Sequence, residues 1–164
     1  MKNFQNKAKI IKVSKILRSI LRIGLFLWVL AVLGFCTAFL IPIFVSARAH
    51  GNLHFDSQKI YLMCGTVLSA TLGFIVNLNL FRFFDRLANG HLFDAQTTGN
   101  LDAAGKWWIA FWLFEGLLYA IGQEFFQSKT GWDSGGLFAG LALIFVAWLL
   151  REAQELQEEQ ELTV

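Results

Sequence analysis

Proline occurs once in the 164 residues, at Pro42, and cysteine twice, at Cys36 and Cys64. A single proline excludes a Pro-rich linker or a loop-dominated domain. Two cysteines exclude a disulfide-stapled scaffold. Both fall inside apolar stretches, where a free thiol acts as a small hydrophobe filling packing space, and rise per residue sets them at different depths. Charge is scarce too: 16% of residues, against about 25% in an ordinary soluble domain. Also absent are a Gly-rich phosphate loop, a Cys-x-x-Cys pair, a Ser/His/Asp order and a convincing acid pair. The chain is therefore not expected to be an enzyme, and no catalytic residue, cofactor or metal is assigned.

Four long apolar stretches are present instead, at about 23–45, 60–81, 107–126 and 135–150. A helix needs about 20 apolar residues to cross a hydrocarbon core of about 30 Å. The first three are long enough, and the fourth is if Trp132 and Trp148 sit at the two interfaces. The expected fold is all-α: a polytopic four-transmembrane-helix bundle over residues 23–150. The run before Ala47-Arg48-Ala49 exceeds the 7–15 residues of a signal core, so it reads as a retained anchor.

The charges are segregated. Lys2, Lys7, Lys9, Lys12, Lys15, Arg18 and Arg22 precede the first span with no acid among them. Glu152, Glu155, Glu158, Glu159 and Glu161 follow the last. Counted by side, eleven basic residues lie with the termini and the loop 82–106, and three lie opposite. Basic residues near span ends stay inside, so both termini are expected in the cytoplasm.

Residues 1–22 read as a basic amphipathic helix, with Ile10, Val13, Leu17, Ile20 and Leu21 along one side. Such a helix lies on a membrane surface or docks on a partner. The loop 82–106 reads as two short helices. The first ends at Asn89-Gly90, because glycine adopts the left-handed backbone that stops a helix. Asp94 is placed to cap the second, Ala95–Gly105. Trp107 and Trp108 mark the interface. The acidic tail 151–164 continues the fourth span as a helix that either projects away from the membrane or pairs, with the basic N-terminal helix as its obvious counterpart.

The segment Leu87-Ala88-Asn89-Gly90-His91-Leu92-Phe93, the pairs Asn100-Leu101 and Ala104-Gly105, and an ending of Arg151 to Leu156, Glu158-Glu159 and Leu162-Thr163-Val164 resemble a known pattern. It is that of bacterial membrane proteins grouped as domain of unknown function 2975. The chain departs from it in lacking a basic-Gly pair before the tail. The resemblance implies four transmembrane helices in a bacterial inner membrane, with a gene often beside a small helix-turn-helix regulator. No activity is established for that family, so no catalytic residue carries over.

Gly65, Ser69, Gly73 and Asn77 recur every four residues on one stripe of the second span, and Gly136 and Gly140 form a shorter one in the fourth. Small residues let helices approach closely in lipid, so helix packing is the expected role. Glu115 sits near the middle of the third span, where a carboxylate must face the bundle or be neutral. Its candidate partners are Asn77, Asn79, Thr71 and Ser69, making a packing site or a proton or cation site. His50, His54 and Asp56 are too few to make a metal site. Asp85, Arg86, Asp94 and Asp102 read as a solvated face.

Two functions follow. The first is a small regulatory or scaffolding protein whose basic helix, middle loop and acidic tail meet a cytoplasmic protein or anionic lipid. The alternative is an oligomeric transporter or channel using Glu115. The expected partners are the lipid bilayer, that protein or lipid, and a further copy of the chain; nucleic acid is not among them.

Overall fold

A computed structural model describes residues 2–50, 57–91, 94–126, 132 and 135–162. Among them the chain forms four helices: α1 (Lys2–His50), α2 (Ser57–Ala88), α3 (Ala95–Phe126) and α4 (Gly135–Leu162). Each is long and apolar enough to cross a membrane. At about 1.5 Å per residue they also exceed what a crossing requires, α1 most of all.

The expected amphipathic helix 1–22 is not a separate element. No turn signal separates Leu21 from Gly24, so it runs on into the first span as one helix of 49 residues. It therefore shares the axis of that span rather than turning flat onto a surface. Pro42 lies inside α1, where it removes one backbone donor without ending the helix. The two helices expected in the loop 82–106 are the end of α2 and the start of α3, each unbroken with its span.

Successive helices are antiparallel, which brings the start of α1, the α2–α3 turn and the end of α4 to one end of the molecule. Each helix packs on its neighbours in the chain. Among the described residues no Cα of α1 comes within 8 Å of one in α3 or α4. The all-α fold of four long apolar helices is as expected, and the array is open between α1 and α4. Of the two alternatives for the acidic tail, pairing with the basic N-terminal helix of the same chain finds no contact among the described residues, because α2 and α3 stand between them.

Most of the buried core lies towards one end, with Val76 buried nearer the middle of α2. Phe83, Leu101 and Ala147 form one cluster, with Leu80, Phe84, Leu87, Leu143 and Leu150 packed on it. Ala88, Thr97, Thr98 and Ala104 are buried at the same end. Halfway along the helices the large apolar residues point outward instead, among them Phe26, Leu33, Leu68, Leu113 and Phe138.

Candidate functional site

The α2–α3 turn is built by a helix stop and a helix start nearly back to back. Gly90 has φ of 89°, a left-handed conformation that glycine adopts without strain. The amide of His91 donates to the Arg86 carbonyl at 3.1 Å, and that of Gly90 to the Leu87 carbonyl at 3.1 Å. This pair of bonds satisfies carbonyls that the end of α2 would otherwise orphan. Asp94 then starts α3: its Oδ1 accepts from the Gln96 amide at 3.0 Å, and its carbonyl from the Thr97 amide at 2.8 Å.

Arg86 ties the two helices together. Its guanidinium bonds the other oxygen of Asp94, Gln96 Oε1 at 2.5 Å and Thr97 Oγ1 at 3.3 Å. Thr97 Oγ1 in turn donates to the His91 carbonyl at 3.2 Å. The Gln96 amide and the Arg86 side chain stabilise the Asp94 carboxylate and hold its pKa below the usual 3.8. These charges are thus paired with one another while still partly exposed. Arg86 and Asp94 close a clasp across the turn, and Asp102 holds Lys106 at 2.7 Å.

The neighbouring Asp85 points the other way and holds α1. Arg18 donates to it at 2.9 Å, and Arg22 lies 5.8 Å from the centre of the Phe81 ring. The register of these contacts sets Ser14, only 3% exposed, opposite the end of α2. The N-terminal part of α1 is thus fastened as far as Ser14, and Lys2–Val13 runs beyond it. Sequence reasoning missed both fastenings, although basic residues four apart facing Phe81 and Asp85 four apart are a readable signal.

The polar residues of the spans do not gather around Glu115. Asn77 donates to the Gly73 carbonyl at 2.9 Å, Asn79 to that of Ile75 at 2.8 Å and Thr71 to that of Val67 at 2.8 Å. Each is satisfied by its own helix. Thr71 also lines an apolar groove of about 280 Å³ between α1 and α2, with Trp28, Val32, Val67 and Phe74. Glu115 stands on α3, half-buried, and the register of Gly65 on Leu118 sets Ser69 at its level without a hydrogen bond between them.

The small residues sit at close approaches, but not on one partner. A Cβ on Gly65 would lie 3.2 Å from Leu118 of α3, and one on Gly73 2.9 Å from Trp28 of α1. Four residues turn a helix by about 40° beyond a full turn, so the stripe winds from one neighbour to the other. Gly136 meets Trp112, and Gly140 meets Gly105 and Ile109 of α3. Trp132 stacks on Trp112 with ring centres 4.6 Å apart, across Gly116.

A family model described as protein of unknown function (DUF2975) matches residues 43–164. The chain belongs to this family. No curated protein and no solved structure matches it. The DUF2975 match begins near the end of α1 and takes in the clasp, Glu115, the glycine contacts and the acidic end of α4. The basic start of α1 lies outside it.

Two expectations need correction or placing within this DUF2975 chain. Cys36 and Cys64 are free, and Cys64 is exposed on the outside of the helices rather than filling packing space. The register of Trp28 on Ala70 and Gly73 also brings them within about a turn in depth rather than far apart. His54 and Asp56 lie outside the described residues, as do Leu92, Phe93, Thr163 and Val164.

Proposed function

We propose that the chain is a multi-pass protein of the bacterial inner membrane with both termini and the α2–α3 turn in the cytoplasm. In this reading it is not an enzyme; it is a small regulatory or scaffolding protein whose working surface is cytoplasmic. The position of the core supports this reading most directly. Apolar surface has no drive to leave hydrocarbon, so helices in lipid associate without a large buried core. It does have that drive where helices emerge into water. Burial concentrated around Phe83, Thr97, Leu101 and Ala147, with outward-facing apolar residues along the middle, fits this division. The excess of Lys and Arg on the turn side agrees with it.

A contact surface at the turn also fits the cost of the clasp. A connection that only returned the chain would not need Arg86 to bond Asp94, Gln96 and Thr97 together. A fixed turn leaves His91 and Gln96 exposed in one geometry, which lowers the entropy lost when a protein partner binds. The transporter alternative draws less support, because Asn77 and Thr71 are satisfied away from Glu115.

A photo-crosslinking amino acid in place of His91, used in living cells, tests the surface. The expected product is one discrete protein adduct. Adducts with lipid alone would overturn the reading, as would labelling of Gln96→Cys from the outer side of the membrane.

A further inference from the structure

The two edges of the open array carry opposite charge at the same end. Past Ser14, α1 extends with Lys9 and Lys12 exposed, and Lys15 is exposed beside them. Past the level of the α3 start, α4 extends with Glu152, Glu155 and Glu158 exposed. Both extensions also bare apolar side chains, Ile10 and Val13 on α1 and Leu156 on α4. These residues lie outside the four apolar stretches read as meeting hydrocarbon.

The levels match. Arg18 on Asp85, Arg86 on Thr97 and Gly105 on Gly140 fix the register across the four helices. Carried from α1 to α4, that register sets Lys9, Lys12 and Lys15 at the heights of Glu158, Glu155 and Glu152. The helices are antiparallel, so the three opposite pairs fall into step together. Within one chain they cannot meet, because α2 and α3 separate the two edges.

We propose that a second copy of this chain covers each edge, with the start of α1 in one copy running antiparallel to the end of α4 in the next. Val13 then buries against Leu156, and the lysine–glutamate ladder fixes partner and register. Exposed ion pairs are individually weak, so the apolar contact and confinement to one membrane supply the association. Each copy has one edge of each kind, so the contact is head-to-tail or, in a two-fold pair, is made twice. The inference stands on helix order and charge alone and does not rest on the regulatory reading.

Two chains co-expressed in a Cys36→Ser, Cys64→Ser background test it, one with Lys12→Cys and the other with Glu155→Cys, under different tags. Oxidation in membranes should give a disulfide-linked species bearing both tags, several-fold more than Lys9→Cys gives with Glu152→Cys. Equal yield from the two pairs would overturn the proposal. So would a disulfide that forms only within one chain when Lys12→Cys and Glu155→Cys are placed on the same chain. Native mass spectrometry supplies a second measurement. Reversing Lys9, Lys12 and Lys15 to Glu should lower the assembly to monomer, and a co-expressed chain with Glu152, Glu155 and Glu158 reversed to Lys should restore it. An assembly indifferent to the first reversal, or not restored by the second, would also sink the idea.

Discussion

Gly105 of α3 and Gly140 of α4 meet backbone to backbone. A Cβ on Gly105 would lie 2.9 Å from the Gly140 carbonyl oxygen and 2.7 Å from Ile144 Cγ1. Backbone cannot swing aside as a side-chain tip can. Gly105→Ala should therefore push the helices apart and cost about 1–3 kcal/mol, more than the gain in helix propensity of about 0.5–1 kcal/mol returns. Gly99 lies six residues earlier on the same helix with nothing within 4 Å of its Cβ position. Gly99→Ala should stabilise the protein by up to about 1 kcal/mol. Thermal unfolding in detergent compares the two, and equal signs would contradict the close approach.

The helices themselves were legible because their signals are local and redundant. Runs of apolar residues give the spans, Asn89-Gly90 gives the stop of α2 and Asp94 gives the start of α3. What the residues do not state is which neighbour a face meets. The stripe Gly65, Ser69, Gly73, Asn77 looks like one seam, yet Gly65 meets α3 and Gly73 meets α1. The continuity of α1 was hidden by a change in composition at Arg22–Ile23, which alters where the helix is comfortable but not whether it is helical. The clasp was hidden by its charges. Arg86 and Asp94 look like surface residues until the Gly90 turn folds them together.

Trp28 shields Gly73 in a position that a hydrogen bond fixes. Its indole Nε1 donates to the Ala70 carbonyl at 3.1 Å, and its Cζ2 lies 2.9 Å from where a Gly73 Cβ would be. Gly73→Ala should cost about 1–3 kcal/mol by displacing the ring. In a Trp28→Ala background the same change should cost less than about 0.5 kcal/mol, since the obstacle is gone. A double-mutant cycle of unfolding free energies reads the coupling, and additive effects would show that the ring does not hold that place.

The clasp carries a pH dependence whose sign follows from Asp94. The Gln96 amide and Arg86 favour its ionised form in the folded protein, so its pKa is depressed below 3.8. Stability contributed by a depressed carboxylate is present above the unfolded value and is lost as pH falls through the folded one. The amides of Gln96, Thr97 and Thr98 should therefore stay protected from hydrogen exchange from pH 8 to about pH 5 and lose protection below about pH 4, after correction for intrinsic rates. Asp94→Asn keeps an oxygen for the cap and should fray the start of α3 less than Asp94→Ala at neutral pH. Identical exchange in the two variants would mean that the Arg86 pair, not the cap, holds the turn.

Glu115 separates the two functional readings by what it does not hold. It accepts no hydrogen bond from Asn77, Asn79 or Thr71, whose side chains bond their own helix, and none from Ser69 at its level. Removing its charge then breaks no bond among the described residues. Glu115→Gln should leave the unfolding free energy within about 0.5 kcal/mol of the parent. A packing role for the carboxylate would instead appear as a loss of several times that amount. If the carboxylate coupled proton or cation movement, the same variant would keep its fold and abolish flux in proteoliposomes. A scaffolding protein gives no flux in parent or variant, and gives the same adduct from the His91 photo-crosslinker in both.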